Sequence, residues 1–183
     1  MPQSHESDEA LFRQVQAGGR DAFATLVERY QRRAFGVALR LLGRQQDAED
    51  VVQQTFLRLY EARDRYDPKW CLSTWLYRIL TNACVDELRR RRPMRELKEQ
   101  DEPLAERPDD TLERAERDRL LHEALALVPT EARIALALHY ADGRSYQEIG
   151  VIRGISVNTV KTHLRRGRLG LRRALSARGM GTS

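Results

Sequence analysis

The sequence predicts an all-α fold of two small helical domains joined by a flexible acidic linker. Apolar residues recur at three- and four-residue spacings through both halves of the 183-residue chain, which is the period of a helix with one buried face. Between the halves lies a segment with three prolines, ten acidic residues and few large apolar side chains, a composition that cannot form a core of its own. We therefore expect a first domain at 1–92, a linker at 93–119 and a second domain at 120–183.

Four helices are expected in the first domain. Asp21 and Ser73 are residue types that cap helix N-termini, Gly43 suits a left-handed C-cap, and Pro93 should stop the last helix. A loop containing Pro68 should separate the third helix from the fourth. The expected elements are a short helix at Glu9–Ala17, a helix from Asp21 to Gly43, a third at Asp47–Arg63 and a fourth from Ser73 to Arg92.

The second domain is expected to begin with two apolar-faced helices, Leu120–Val128 and Glu131–Tyr140, separated by Pro129. Whether residues Thr111–Arg119, inside the linker, form a short helix is left open.

The rest of the second domain has the outline of a helix-turn-helix. Ser145 and Glu148 have the spacing of a capping box, and the helix they begin should end at Gly154. Ser156 is then expected to cap a helix over Val157–Leu175. Two short helices joined by a tight glycine turn are typical of this DNA-binding motif.

The outer face of that last helix is a candidate surface for DNA. The chain has a net charge of +5, and its three segments carry +3, −4 and +6 in chain order. No acidic residue occurs from Thr159 to the last residue, whereas a merely solvated helix face usually mixes both signs. A helix in the major groove needs polar side chains for bases and cations for phosphates. The candidates are Asn158, Lys161, Thr162, Arg165, Arg166 and Arg168.

Aromatic and polar residues also cluster around the start of the fourth helix. Aromatic rings beside cations suit unstacked bases, which can lie on a ring while their edges are hydrogen-bonded. The same rings are equally consistent with core packing, and the asparagine with an ordinary surface position, so the residues alone leave both interpretations open. The residues concerned are Trp70, Trp75, Tyr77, Arg78 and Asn82.

The composition argues against membrane, secreted and metal-dependent proteins. No apolar run approaches the roughly 18 residues of a membrane span, and the polar, acidic first residues do not resemble a secretion signal. Cys71 and Cys84 cannot form a disulfide framework, and we expect unreactive thiols. The four histidines include no pair at metal-ligand spacing. We expect a cytoplasmic protein that needs no metal and no cofactor.

Two alternative functions fit parts of the sequence. A plain helix-turn-helix regulator of duplex DNA would account for the second domain but leaves the first unexplained. A metal-dependent nuclease or hydrolase would need ligands, and Asp47, Glu49 and Asp50 could bind a cation. Three acids at a helix start more often complement the helix dipole, and no phosphate-binding loop or nucleophile motif accompanies them.

Three motifs in order along the chain resemble those of the extracytoplasmic-function (ECF) sigma factors of bacterial RNA polymerase. They are 47–57 (DAEDVVQQTFL), 74–79 (TWLYRI) followed by Asn82, and 143–149 (GRSYQEI) with 155–161 (ISVNTVK). The resemblance covers roughly residues 11–92 and 120–175. Gly150 and Gly167 stand where alanine is common in the family.

The resemblance implies a sigma domain two, a linker and a sigma domain four in a protein that is not an enzyme. Such a protein gives promoter specificity to core RNA polymerase. Residues 47–59 would dock on the clamp helices of the largest polymerase subunit, and the second-largest subunit would be contacted through its flap. The polymerase-contacting candidates are Asp47, Asp50, Gln53, Gln54 and Leu57.

The resemblance also assigns DNA contacts. Residues 70–82 would open the minus-ten element and hold a flipped base near Asn82. The helix from Ser156 would read the minus-thirty-five element, with Thr162, Arg165 and Arg166 nearest the bases and Lys161 on phosphate. Promoter DNA is thus an expected partner, together with a cognate anti-sigma factor that masks these surfaces, and no membrane insertion is expected.

Overall fold

The computed structural model describes residues 6–95 and 112–177, and within these two ranges the chain forms eight α-helices and no strand. The all-α expectation is confirmed. The helices are α1 (Asp8–Gln16), α2 (Arg20–Leu42), α3 (Gln45–Glu61), α4 (Leu72–Arg95), α5 (Leu112–Ala126), α6 (Thr130–Leu136), α7 (Tyr146–Arg153) and α8 (Val157–Ser176). A short 3₁₀-helix at Arg63–Arg65 follows α3. None of the described helices is long and apolar enough to span a membrane.

The first module, α1 to α4, is organised around α2. This helix contacts α1, α3 and α4, because its apolar residues recur every three or four positions and form a continuous buried face. The buried residues of α2 include Leu26, Tyr30, Ala34, Val37 and Leu41.

An aromatic cluster fixes the loop that leads into α4. The rings of Phe12 and Tyr66 meet edge to face with centroids 4.9 Å apart, and the Trp75 ring stacks on Tyr66 at 5.3 Å. The Tyr66 hydroxyl donates to the carbonyl oxygen of Trp70 at 2.6 Å. The loop before α4 is thereby held against the core, while the Trp70 side chain points to solvent.

The second module, α5 to α8, packs α5, α6 and α7 against α8. The residues that α6 and α7 bury here include Ile134, Ile149 and Ile152. The expected helix at Glu131–Tyr140 is present but changes its hydrogen-bond register, because α6 ends at Leu136 and continues as a π-helix over Ala137–Ala141.

Local helix signals were predicted with mixed success. Gly43 and Gly154 end their helices with φ of 77° and 68°, as expected of left-handed C-caps. The expected caps at Asp21 and Ser73 are wrong. Gly19 precedes α2 without a side-chain cap, and α4 already begins at Leu72, where the carbonyl oxygen of Cys71 accepts the first backbone bonds.

The helices flanking the expected linker are longer than predicted. α4 continues past Pro93 to Arg95, so the expected stop at Pro93 is wrong. α5 begins at Leu112, inside the segment expected to be linker, and includes most of the stretch that was left open as helical. Residues 96–111, the remainder of the expected linker, lie outside the described residues, so its flexibility stays a prediction.

The two modules pack against each other. α7 of the second module contacts α4 of the first, and the π-helix, α5 and α6 contact α2. Buried apolar residues of both modules belong to one connected core. This contact, which the sequence did not predict, places the helix-turn-helix beside the polar face of α4.

Candidate nucleic-acid interface

The helix-turn-helix is built as its sequence predicts. Ser145 Oγ accepts from the Glu148 backbone NH at 3.2 Å, and the Glu148 carboxylate accepts from the Ser145 backbone NH at 2.8 Å. Ser156 Oγ then accepts from the Thr159 backbone NH at 3.1 Å and starts α8. Both helix starts are therefore fixed by hydrogen bonds within a few residues of sequence.

Two glycines allow the close packing that holds α8 in place. A Cβ atom on Gly167 would lie 2.8 Å from Leu136 Cδ1 and 3.2 Å from the Ala132 carbonyl oxygen, so α8 meets α6 without room for a methyl group. A Cβ atom on Gly150 would lie 2.9 Å from the Ile155 carbonyl oxygen, which belongs to the turn between α7 and α8. The structure thus gives a packing reason for both departures from alanine.

The outer face of α8 is open to solvent. α8 buries Val160, Leu164, Gly167 and Ala174 on its inner side. All six side chains predicted to contact DNA are exposed on the other side: Asn158, Lys161, Thr162, Arg165, Arg166 and Arg168.

The charges on this face are available to a ligand. Within residues 6–95 and 112–177, no carboxylate lies within ion-pair distance of Lys161, Arg165, Arg166 or Arg168. The Thr162 hydroxyl donates to the Asn158 carbonyl oxygen at 3.0 Å, which orients that side chain along the helix. An unpaired cationic helix face of this kind suits a polyanion.

The residues at the start of α4 do not form a single exposed surface. Trp70 is 60% exposed, and Arg78 and Asn82 are also exposed. Trp75 is half-buried in the aromatic cluster, where Phe12 and Tyr66 contact its ring.

Tyr77 is a core residue, in agreement with the core-packing alternative that the sequence left open. The side chain has no exposed area. Its hydroxyl donates to Asp142 Oδ1 at 2.5 Å, and the Arg144 guanidinium lies 4.6 Å from the ring centroid. Burial, followed by the hydrogen bond to Asp142, raises the pKa of Tyr77 above its ordinary value, so the hydroxyl stays protonated and continues to donate.

Asn82 is already hydrogen-bonded across the two modules. Arg153 Nη1 donates to Asn82 Oδ1 at 3.0 Å and to Thr81 Oγ1 at 3.1 Å. The other guanidinium nitrogens of Arg153 contact Glu131, with Nη2 to Oε1 at 2.8 Å. The Oδ1 atom of Asn82, which was predicted to contact a base, thus already accepts a hydrogen bond from the helix-turn-helix.

A groove between α3 and α4 collects the predicted polymerase-contacting residues. Its volume is about 420 Å³. Leu57 is 61% exposed at this groove. All five predicted residues line it: Asp47, Asp50, Gln53, Gln54 and Leu57. The other six lining residues are Val51, Arg58, Ala83, Asp86, Glu87 and Arg90.

Ion pairs shape one wall of that groove. Arg91 pairs with Asp47 and with Glu87, where Nε lies 2.9 Å from Oε1. Partial burial would raise the pKa of Glu87, but hydrogen bonds from Arg91 and Arg90 outweigh it and lower the pKa. Asp47 is half-buried and ion-paired with Arg91, whereas Asp50, Gln53, Gln54 and Leu57 are exposed.

Three arginines that the sequence analysis missed join the two modules. Arg133 Nη1 donates to the Leu41 carbonyl oxygen at 2.9 Å, at the end of α2. Arg144 Nη1 donates to Ser73 Oγ at 3.0 Å, and Arg153 makes the bonds to α4 described above. Only the acidic neighbours of Arg144 in sequence, at Asp142 and Glu148, could have indicated a buried arginine.

No metal centre emerges from the described part of the chain, in which no three His, Cys, Asp or Glu residues are placed to share an ion. Cys71 is exposed, and Cys84 is buried. Burial raises the pKa of the Cys84 thiol to about 12, so it stays protonated and unreactive.

Comparison with protein families gives two matches. Residues 26–93 match the model of Sigma-70 region 2, and residues 118–171 match the model of Sigma-70 region 4. The first match contains the groove residues and Asn82, and the second contains the helix-turn-helix.

Characterised relatives match along most of their length. The chain is 34% identical over 175 residues to the ECF RNA polymerase sigma factor SigW of Bacillus subtilis, covering 89% of this chain and 94% of SigW. It is 32% identical to the RNA polymerase sigma-H factor of Pseudomonas aeruginosa, covering 94% of this chain and 95% of that protein.

Two solved structures have the same fold. CnrH, in complex with the cytosolic domain of CnrY, superimposes with a TM-score of 0.73 at 28% identity, covering 94% of this chain and 99% of CnrH. The sigma factor RpoE, in complex with the anti-sigma factor NepR from Bartonella quintana, gives a TM-score of 0.69 at 23% identity, covering 84% of this chain and 96% of RpoE.

Proposed function

The chain belongs to the ECF sigma factors of bacterial RNA polymerase, and we propose that its two modules read the two elements of a promoter separately. As a member of this family it directs core polymerase to promoters and starts transcription there. Sigma factors are not enzymes, and we assign this chain no reaction of its own. The domain assignment we propose is 1–92 for sigma domain two, 93–119 for the linker and 120–183 for sigma domain four.

The second module reads the minus-thirty-five element through α8. The supporting observation is that all six predicted contacts lie exposed on one unpaired cationic face. Thr162, Arg165 and Arg166 face the base edges, because a guanidinium can pair with both acceptors of guanine. Lys161 binds phosphate. The flap of the second-largest polymerase subunit contacts this module elsewhere.

The first module opens the minus-ten element through the exposed residues of α4 and its preceding loop. Asn82 holds a flipped base by hydrogen bonds, Arg78 binds the backbone, and Trp70 offers a ring for stacking. Trp75 has a supporting role, since its ring positions the loop from inside the aromatic cluster. Stacking and edge contacts that exist only in single strands offset the few kcal/mol needed to unstack each base.

The groove between α3 and α4 docks on the clamp helices of the largest polymerase subunit. Leu57 is the apolar anchor, and Asp50, Gln53 and Gln54 surround it with polar groups, which is the apolar centre and polar rim of a protein interface. Asp47 contributes indirectly, through its ion pair with Arg91.

Location and regulation follow from the same role. A protein that serves RNA polymerase works in the cytoplasm, without inserting into a membrane. A cognate anti-sigma factor would restrain it by covering these surfaces. CnrH and RpoE were solved with CnrY and NepR respectively, which supports such a partner for this chain.

Retention of the chain by core polymerase separates a sigma factor from a plain helix-turn-helix regulator. Immobilised core enzyme should retain the wild-type chain, and Leu57→Ala should weaken retention by at least about tenfold, the usual loss at an interface hot spot. Val151→Ala is the control, since Val151 is also an exposed apolar residue but lies on α7. Equal retention of Leu57→Ala and wild type would reject the groove, and no retention of a folded wild type would favour the regulator.

A further inference from the structure

The loop before α4, residues 66–71, is held at both ends and in its middle by contacts that involve α1. This helix, Asp8–Gln16, lies outside the match to Sigma-70 region 2, which begins at residue 26. We propose that α1 fixes the backbone of the loop, so that the exposed Trp70 ring is presented for stacking on an unstacked base. The proposal rests on the function assigned above to Trp70.

Gln16, the last residue of α1, holds the first end of the loop. Its Nε2 atom donates to the carbonyl oxygen of Arg63 at 2.9 Å and to that of Tyr66 at 3.3 Å. A side-chain amide nitrogen carries two hydrogens and can serve both acceptors. Because these carbonyls are 47 and 50 positions away in sequence, the join between the 3₁₀-helix and the loop is fixed by a separate element of the fold.

Glu9, in the first turn of α1, holds the other end of the loop. The backbone NH of Leu72, where α4 begins, lies 3.4 Å from Glu9 Oε1 and donates to it. The first NH groups of a helix have no partner within the helix, and a carboxylate is favourable at that positive end. Glu9 thus supplies from α1 a cap that Ser73 does not supply from within α4.

Tyr66 connects the middle of the loop to α1. Its hydroxyl donates to the Trp70 carbonyl oxygen at 2.6 Å, and its ring meets Phe12 of α1 edge to face. Burial, followed by the charge of Glu9, raises the pKa of Tyr66 to about 12, so the hydroxyl stays protonated and continues to donate. The backbone of Trp70 is therefore anchored from the core while its ring stays outside.

The loop also contains a turn that presents its side chains to solvent. The backbone NH groups of Lys69 and Trp70 donate to the Asp67 side chain and carbonyl oxygen, each at 3.0 Å. Aspartate at the first position and Pro68 at the second favour such a turn. Lys69, Trp70 and Cys71 are nonetheless exposed. A fixed backbone with exposed side chains is preorganised for binding, because little conformational freedom remains to be lost.

α1 is firmly attached to the rest of the module and can serve as a support. Phe12 and Val15 have no exposed area, and Arg29 of α2 donates to Asp8 Oδ1 at 2.7 Å. Ser7 caps the helix by accepting from the Ala10 backbone NH at 3.1 Å. The contacts of α1 with the loop are therefore made from a fixed position.

Backbone nitrogen-15 relaxation of the free full-length protein tests the positioning directly. The amides of residues 69–71 should have order parameters of about 0.85, the value of rigid backbone. Tyr66→Phe keeps the ring and removes only the hydroxyl, and Gln16→Met keeps the length of the side chain and removes the donor. Both variants should lower the order parameters of these amides toward about 0.6, the range of flexible backbone.

Two matched controls should leave the loop rigid. Tyr60→Phe removes a hydroxyl from a ring that packs on Phe23, in another part of the module. Gln14→Met makes the same change as Gln16→Met at an exposed position of α1, where the side chain donates to Glu6. Circular dichroism melting of all four variants shows that they are folded.

A double-mutant cycle tests whether Tyr66 acts through Trp70. The ligand is a single-stranded oligonucleotide with the non-template minus-ten sequence of a promoter that wild-type holoenzyme transcribes, and binding to holoenzyme is followed by fluorescence anisotropy. Tyr66→Phe should weaken binding about fivefold, the usual effect of one hydrogen bond, and Trp70→Ala about tenfold or more. In the Trp70→Ala background, Tyr66→Phe should add little, whereas a merely structural role would give the same loss in both backgrounds.

Three results would overturn the proposal. They are flexible amides at 69–71 in the wild type, unchanged order parameters in both Tyr66→Phe and Gln16→Met, and fully additive losses in the cycle. A failure of the proposed function would be distinguishable from these. It would appear as unchanged oligonucleotide binding by Trp70→Ala, although the loop is rigid in the wild type and loosens in the two variants, and it would reject the capture of a base by Trp70.

Discussion

Gly167 and Gly170 occupy the same helix but have opposite surroundings. A Cβ atom on Gly167 would lie 2.8 Å from Leu136 Cδ1, whereas one on Gly170 would lie 3.4 Å from Val128 Cγ2, an ordinary contact. The helix-forming advantage of alanine over glycine is the same at both positions. What differs is whether α6 leaves space for a methyl group.

Gly167→Ala should therefore destabilise the protein by about 1–3 kcal/mol, the usual cost of an overpacked core. Gly170→Ala should stabilise it by up to about 1 kcal/mol. Urea unfolding followed by circular dichroism measures both. Equal effects of the two substitutions would show that α8 does not approach α6 as closely as described.

Lys161 and Arg166 should separate phosphate binding from base recognition. Lys161→Ala should weaken binding to all duplexes and reduce the salt slope of log K by about one. Arg166→Ala should cost about 1–3 kcal/mol on a promoter fragment and much less on random duplex. Fluorescence anisotropy titrations at several salt concentrations measure both quantities. The same loss for Arg166→Ala on both duplexes would remove it from the base-reading set.

At the scale of the element, the capping box couples helix formation to pH. The Ser145 backbone and side chain donate to the Glu148 carboxylate and lower its pKa below the ordinary value. A group whose pKa is lowered by folding adds stability above its unfolded pKa of about 4.3 and loses it as the pH falls further. The start of α7 should therefore weaken in acid.

Glu148→Gln should remove that part of the acid sensitivity. Its unfolding free energy should fall less steeply than that of wild type between about pH 5 and pH 3, because the amide does not titrate. Ser145→Ala should cost about 1 kcal/mol at neutral pH through loss of the cap. Thermal unfolding across this pH range checks both, and parallel curves for wild type and Glu148→Gln would contradict the coupling.

The elements also show which structure a sequence can disclose. Ser145, Gly154 and Ser156 were predicted correctly because each makes its decisive bond within a few residues. Ser73 was not, because its hydroxyl serves Arg144, a residue 71 positions away. Patterns of nearby residues specify helix ends, whereas a bond between distant segments depends on the packing of the whole chain.

The aromatic residues of the candidate site illustrate the same limit. Trp75 and Tyr77 are two positions apart on α4 and therefore face different neighbours. One packs on Tyr66 in the first module, and the other donates to Asp142 in the second. The sequence indicated that this stretch matters, and only the packing distinguished exposed residues such as Asn82 from buried ones such as Tyr77.

At the scale of the whole molecule, the proposed function assigns two DNA-contacting surfaces and one docking groove to a single task. α8 lies on the second module, Asn82 on the first, and the groove between α3 and α4 faces solvent beside them. Recognition by two tethered readers raises the effective concentration of each at one promoter, so modest contacts at each element give a specific complex. The account requires both readers to act on the same DNA.

Run-off transcription with core polymerase on a promoter recovered from genomic DNA tests that requirement most directly, with permanganate reactivity of unpaired thymines as a second readout. Wild-type protein should give a transcript and an open minus-ten region. Asn82→Ala should still be recruited but open the duplex at least tenfold less, whereas Arg166→Ala should lose recruitment and recover at high protein concentration. A folded wild-type protein that gives no transcript above core enzyme alone, or an Asn82→Ala variant that opens the promoter as well as wild type, would contradict the account.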